Sequence, residues 1–476
     1  MRDDARMSEA RDYDLVVIGA GSAARDGAKR ARAHGARVAL VEHERWGGSC
    51  PNVACMPTKA YLVAADLAHA IDALAPRIGI ETGPARVNLA ALKAWKDSLK
   101  KPQEQWIRDL QADGLDTYSG TATFADRRTI RVGREELRAD RILIATGSRT
   151  AVPPIEGIEG VDWLDHVSAL ELEDVPGSLL VVGAGAVGLE FGQAFARFGS
   201  RVTIVDTLPE IAPHADPEAA AELRAALVDD GIRFVLDSLV RGVTGGSATV
   251  ERRGGGTNEI EFERLLLAAG RLPNVEDLGL DAAGVETTRA GIAVDGRMRT
   301  SAPAIWAAGD VNGQAPFTPA AQYQARIAVD DMFGLDPAPA DYSALPTAIF
   351  TEPELAAVGL TEPDAREQGH AAESVVHPFT SVRRASYLGA RHGLYKIVFD
   401  ARSRRVLGLH VVTPGASDVV QGLAVAIHLG TTVDDLATAH HVFPSIGEGV
   451  KAAAERALVR GRAAEAEGAA ASGPAS

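Results

Sequence analysis

The strongest constraint on this chain is a glycine pattern that occurs twice. An apolar stretch, Tyr13-Asp14-Leu15-Val16-Val17-Ile18, runs into Gly19-Ala20-Gly21-Ser22-Ala23-Ala24. An Ala- and Arg-rich helical stretch follows to His34-Gly35, and a second apolar run, Arg37 to Val41, ends at Glu42. This order predicts a βαβ unit with a dinucleotide fingerprint. The first glycine permits the turn, the second lets backbone approach a pyrophosphate, and Ala24 takes the third, close-packing position. The unit recurs as Leu179-Leu180-Val181-Val182-Gly183-Ala184-Gly185-Ala186-Val187-Gly188, a helix to Phe198-Gly199, and a strand from Arg201 to Val205 ending at Asp206. The interval from first glycine to strand-end acid is the same in both. Two such units, each with an acid placed for a ribose 2′-hydroxyl, imply two bound dinucleotides.

A chain of 476 residues predicts two to four domains of about 100 to 200 residues each. Its 49 basic and 64 acidic side chains leave a formal charge of -15, which repels phosphate backbones and anionic lipid and argues against nucleic-acid and membrane partners. No apolar run approaches the roughly 20 residues needed to span a bilayer, and the charged start, Met1 to Arg11, lacks a signal-peptide core. The expected location is cytoplasmic.

Pro153-Pro154 and Pro176-Gly177 punctuate the approach to the second unit, and Gly254 to Thr257 reads as a hairpin turn within it. Beyond Leu265 to Gly270 lies a stretch ending in Ile305-Trp306-Ala307-Ala308-Gly309-Asp310. A Pro- and Ala-rich linker, Pro337 to Pro346, precedes a block of alternating strands and helices expected to form a separate domain. The tail from Gly461 to Ser476 lacks periodicity and is expected to be disordered.

Cys50 and Cys55 are the only cysteines. Two cannot make a secreted disulfide framework and supply too few sulfurs for structural zinc, so a redox pair is the leading reading; two buried thiols or a static bridge is the weaker one. Two thiolates suit a soft ion such as Hg(II), but the histidines show no ligand spacing, and no structural metal is expected. Good helix formers follow Pro57, so a helix is predicted to begin there. Its N-terminal dipole and Lys59 favour a thiolate, and such a thiolate can exchange electrons with a flavin stacked against it.

Here the chain resembles the pyridine nucleotide-disulfide oxidoreductases, the family of dihydrolipoamide dehydrogenase, glutathione reductase and mercuric reductase. The motifs are the first fingerprint, Gly47-Gly48-Ser49-Cys50 with Cys55-Met56-Pro57-Thr58-Lys59, Ala145-Thr146-Gly147, the second fingerprint with Glu190, Gly270-Arg271 with Pro273-Asn274, and Ala308-Gly309-Asp310. Phe350-Thr351 with Pro353-Glu354, and Gly408 with His410, match the family's dimer domain. The resemblance implies FAD on Gly19, Gly21, Ala24, Glu42, Gly48, Lys59, Thr146, Gly147, Gly309 and Asp310. It implies NAD on Gly183, Gly185, Gly188, Glu190, Asp206 and Gly270. Cys55 would be the charge-transfer thiol, Cys50 the interchange thiol that attacks substrate, and Lys59 the partner of Glu190 beside the flavin.

The expected fold class is α/β, with two Rossmann-like doubly wound nucleotide-binding domains, the second inserted in the first, and a C-terminal α+β dimerisation domain. The boundaries are a flexible start over 1–12, the FAD domain over 13–150 and 273–336, the NAD(P) domain over 151–272, the dimerisation domain over 345–460, and the tail over 461–476. A homodimer acting on a small disulfide or thiol-type substrate is implied. Asp206 accepts from a ribose and repels a 2′-phosphate, and no arginine directly follows it, so NAD(H) is favoured over NADP(H). Arg197 and Arg201 are the side chains that would reverse this by folding toward a phosphate.

The pattern breaks at His440-His441-Val442-Phe443-Pro444-Ser445-Ile446-Gly447-Glu448. The family places a histidine, held by the glutamate, where Phe443 stands, and uses it across the dimer as general acid and base. A phenyl ring moves no proton, and positioned proton transfer contributes about 100- to 10,000-fold. His441 lies two residues early, about 7 Å away on an extended segment. Mercuric reductase also departs from histidine here but carries a C-terminal cysteine pair, which this tail lacks. In 2-ketopropyl coenzyme M oxidoreductase/carboxylase a Phe also replaces the histidine. Its glutamate is replaced too, whereas Glu448 is kept here. Phe443 either shields a reactive intermediate from protons or marks the loss of an unneeded acid. The activity expected is NAD(P)H-driven reduction of a disulfide or other acceptor attacked by Cys50. The alternatives are carbon-carbon cleavage of a thioether-ketone, a mercuric-type reductase, and a low-turnover FAD redox sensor. Arg383, Arg384 and His377 are surface candidates for anionic groups.

Overall fold

The computed structural model describes residues 11–471, with side chains described to residue 459. The chain divides into two compact units: Met1–Thr58 with Ala94–Ala151 and Gly270–Tyr342, and Lys59–Lys93 with Val152–Ala269 and Ser343–Ser476.

In the first unit, strands Asp116–Ser119, Val38–Glu42, Arg11–Ile18 and Glu135–Ile144 lie side by side in parallel. Glu135–Ile144 continues into an antiparallel meander through Thr129–Val132 and Ala122–Phe124, while its C-terminal half also pairs with Ile305–Ala307. Apolar runs buried on both faces are what a covered parallel sheet requires. Helix Ser22–Ala33 turns Ala24, Ala28 and Ala31 inward, and together with Thr318–Met332 it covers Leu15, Val17 and Leu143. The small side chains let the helix lie close to the sheet. The strand begins at Arg11, inside the stretch expected to be flexible; residues 1–10 lie outside the described residues.

The second unit holds a parallel sheet ordered Arg233–Val235, Arg201–Val205, Ser178–Val182 and Arg264–Leu267. Beside it runs the meander Ser238–Val243, Ser247–Arg252 and Thr257–Glu261, whose second turn is the hairpin expected at Gly254 to Thr257. A five-stranded antiparallel sheet follows, ordered Thr347–Ile349, Glu354–Gly359, Val406–Thr413, Leu394–Asp400 and Ala372–Pro378. Helices Ala416–His428, Val433–Thr438 and Glu448–Ala471 complete this block. The last helix runs through most of the tail expected to be disordered from Gly461, since its alanine-rich sequence has high helix propensity; residues 472–476 lie outside the described residues. Lys59–Lys93 groups with this unit rather than with the first nucleotide fold, because Tyr61 and Leu89 pack into one core with Phe191 and Phe195.

Candidate functional site

The two glycine turns repeat each other in geometry. Gly19 and Gly183 both have φ of 111°, and a Cβ at either would fall 2.3 Å from the Ala145 carbonyl oxygen or 2.4 Å from that of Ala268. Only glycine fits both the angle and the space. Each strand-end acid reaches back to the next backbone amide: Ala20 N donates to Glu42 Oε2 at 2.9 Å, and Ala184 N to Asp206 Oδ2 at 2.7 Å. Glu42 Oε1 also accepts from the His43, Glu44 and Arg45 amides. Helices Ser22–Ala33 and Ala186–Phe198 begin at Gly21 and Gly185 without a side-chain cap. Their first N–H groups are therefore open to an anion, the arrangement that suits a dinucleotide pyrophosphate. The third positions differ: Ala24 is accommodated and fully buried, whereas a Cβ at Gly188 would fall 1.9 Å from the Gly183 carbonyl oxygen.

Distant motifs close the first unit. Thr146 Oγ1 donates to the Asn274 carbonyl at 2.7 Å, Asn274 Nδ2 to the Thr146 carbonyl at 2.9 Å, and Asn274 N to the Gly147 carbonyl. Gly270, at φ 113°, leads into Arg271, which donates to Ser148 Oγ at 2.7 Å. Ser148 Oγ donates to Asp310 Oδ2 at 2.6 Å, and Gly309 N donates to Gln324 Oε1.

The cysteines sit on two helices. Cys50 lies on the single turn Ser49–Asn52, and Cys55 opens Cys55–His69, two residues before the start expected at Pro57. Cys50 is half-buried and Cys55 exposed. Gly48, at φ 76°, crosses Gly21 so tightly that a Cβ would fall 2.5 Å from the Gly21 Cα. Asn52 Nδ2 ties the loop by donating to the Gly48 and Trp46 carbonyls.

In the second unit Lys59 Nζ donates to Glu190 Oε2 at 2.7 Å. Glu190 is 6% exposed at its side chain, so this is not a solvated surface pair. Phe350 N donates to the other oxygen at 3.0 Å, and the Phe350 ring lies 4.4 Å from the ammonium.

Residues 13–325 match the family described as pyridine nucleotide-disulphide oxidoreductase, and residues 345–454 match its dimerisation domain. The chain belongs to this family. A mercuric reductase of Lysinibacillus sphaericus is 36% identical over 93% of this chain and 82% of its own length. A dihydrolipoyl dehydrogenase of Thermus scotoductus is 37% identical over 94% and 97%. Two solved structures are also similar. A copper(II) complex of the HOCl-induced flavoprotein disulfide reductase RclA of Escherichia coli has TM-score 0.82 and 27% identity, over 94% of this chain and 99% of that one. LpdA of Mycobacterium tuberculosis has TM-score 0.83 and 27% identity, over 94% and 100%. This oxidoreductase is thus an enzyme of a family that depends on FAD and NAD(P)H.

Within this pyridine nucleotide-disulphide oxidoreductase, Phe443 is 73% exposed on an irregular segment beside exposed Val442 and His440. Glu448 starts the last helix, and its Oε2 is buried without a hydrogen-bond partner among the described residues. Tyr395 donates to the Ile446 carbonyl at 2.5 Å, and its phenol pKa is pushed up by burial and then by the Glu448 charge.

Two expectations are corrected. Arg197 is not free to meet a phosphate: its side chain is 4% exposed, held by Asp66 at 2.6 Å, Asp230 at 3.0 Å and the Glu352 carbonyl. His377 is buried among Tyr395 and its neighbours rather than exposed, unlike Arg383 and Arg384. Arg25 and Trp106 were passed over in the sequence, yet the guanidinium stacks on the indole at 4.6 Å, and the indole lies against Gly47 of the cysteine loop. The one available signal was the position of Arg25 directly after the first fingerprint.

No helix among the described residues is long and apolar enough to cross a membrane.

Proposed function

We propose that this enzyme draws electrons from NADH and delivers them through the Cys50–Cys55 pair to an acceptor attacked by the Cys50 sulfur. Bound FAD would supply the two-electron relay between nicotinamide and disulfide. The observation that carries this reading is the ion pair of Lys59 with the buried Glu190 carboxylate, with Lys59 one turn along the helix that Cys55 opens. Glu42 and the open helix start after Gly21 support a site for FAD; Asp206 and the start after Gly185 support one for the nicotinamide cofactor. Thr146, Gly147, Gly309 and Asp310 border the first site through the bonds that close its unit. The enzyme works as a homodimer, in which Phe443 and Glu448 meet the partner's cysteines. An anaerobic titration with NADH tests it: long-wavelength charge-transfer absorbance of the Cys55 thiolate is expected, and its absence overturns the reading.

NADH is favoured because Asp206 stands alone at its strand end. Arg197 is locked in ion pairs, and Arg201 begins the strand Arg201–Val205, about 16 Å from Asp206. A lower KM for NADPH than for NADH would refute this.

A second reading is reduction of a thiophilic metal ion at the cysteine pair. It is supported by Phe443, since a metal acceptor needs no histidine to protonate a leaving thiolate, and by relatives named as a mercuric reductase and a copper(II) complex. NADH oxidation driven by Hg(II) or Cu(II), but by no disulfide, would select it.

A further inference from the structure

Helix Ala186–Phe198 turns a row of polar side chains, Glu190, Gln193 and Arg197, toward two other segments of the second unit. One is helix Cys55–His69, where Lys59 meets Glu190 at 2.7 Å and Asp66 meets Arg197 at 2.6 Å. Both pairs span 131 positions, so the two helices step together, and the second pair lies about two turns beyond the first. Their polarity is opposite. A slide of two turns would set Asp66 against Glu190 or Lys59 against Arg197, so the charges admit one register. Leu62, Ala65 and Ala194 pack together along this contact.

The other segment is 350–352. Phe350 N donates to Glu190 Oε1 at 3.0 Å, and Glu352 is held at both backbone groups. Its N–H donates to Gln193 Oε1 at 2.7 Å, while its carbonyl accepts from Gln193 Nε2 at 2.7 Å and Arg197 Nη2 at 2.9 Å. Gln193 Nε2 also donates to Asp230 Oδ2 at 2.7 Å. Gln193 is 1% exposed, and these bonds fix its amide in one orientation. Both ends of the row are charged and paired, so Gln193 is the neutral link that ties segment 350–352 to the helix that carries Glu190.

We propose that Gln193 is a positioning residue for electron transfer at the Lys59–Glu190 pair. By gripping Glu352 at its amide and its carbonyl, it keeps the Phe350 amide on Glu190 Oε1, which leaves Oε2 turned to Lys59. This rests on the reading of that pair as part of the relay from nicotinamide to cysteines. Gln193 itself carries no proton or electron and acts through Glu190.

The test is a double-mutant cycle on the FAD-loaded enzyme, with wild type, Gln193→Met, Lys59→Met and the double variant mixed with NADH in a stopped-flow instrument. Methionine keeps the length of glutamine and makes none of its hydrogen bonds. Formation of the charge-transfer band is expected to slow about fivefold or more in Gln193→Met, and less than about twofold when Gln193→Met is added to Lys59→Met. Equal slowing in both backgrounds would mark a general loosening of the fold and overturn the proposal, as would an unchanged rate in Gln193→Met alone. If Gln193→Met does not retain FAD, the same cycle with Gln193→Asn decides by the same outcomes, since its amide falls one methylene short of Glu352. If Lys59→Met slows the band and Gln193→Met does not, this proposal fails and the proposed function stands; if the band never appears in wild type, the proposed function fails with it.

Discussion

Lys59 and Glu190, 131 positions apart, meet at 2.7 Å, and the carboxylate is completed by the Phe350 amide on its other oxygen. A buried carboxylate needs such partners because burial strips its water. Replacing Lys59 by Met leaves that charge with one amide. The expected cost is about 1–3 kcal/mol, toward the low end because Lys59 is one-third exposed. Denaturant unfolding measures it, and stopped-flow mixing with NADH should show slower formation of the charge-transfer band than in wild type.

The two glycines of the second turn are predicted to separate fold from binding. Gly183→Ala forces a Cβ to 2.4 Å from the Ala268 carbonyl oxygen at a positive φ, and a lowered melting temperature is expected. Gly185 has nothing within 4 Å of its Cβ direction. Gly185→Val should therefore melt close to wild type yet raise the KM for NADH about tenfold or more, by holding the pyrophosphate off the helix. Equal melting losses in both variants would contradict this.

Phe443→His puts an N–H on the segment that leads into Glu448, whose Oε2 has no hydrogen-bond partner among the described residues. If the missing proton carrier limits exchange, disulfide reductase activity should rise, up to about 100- to 10,000-fold. The gain should vanish in Phe443→His combined with Glu448→Ala. Unchanged steady-state rates would leave the metal acceptor as the better reading.

Glu352 predicts a pH dependence. Its carboxyl is pushed up to about 7, chiefly by burial and then by the Asp66 charge, against the pull of Arg197. The folded state then keeps a proton that the unfolded chain releases near its ordinary value of 4.5. Stability is largest below that value, falls by about 3 kcal/mol as pH rises to about 7, and levels off above it. His69, lowered chiefly by burial, acts in the opposite sense over its own range. The difference between wild type and Glu352→Gln therefore isolates Glu352. Thermal melts from about pH 5 to 8 should show a flatter profile for the variant and higher stability at the alkaline end; parallel profiles would show an ordinary carboxylate.

What the amino-acid order determined by itself is the set of local features whose physics is carried by neighbours in the chain. The turns at Gly19 and Gly183, the strand-end positions of Glu42 and Asp206, and the hairpin near Gly254 follow from backbone angles and short periodicities. The pairing of Lys59 with Glu190 was legible only through resemblance, because nothing local joins them. Tertiary structure alone decided that Arg197 is buried among Asp66 and Asp230, that His377 lies inside, and that Arg25 rests on Trp106 beside the cysteine loop. Each of those side chains is long or amphipathic and suits either water or a buried partner. Which it meets depends on elements tens to hundreds of positions away, so packing sets the outcome, not local spacing.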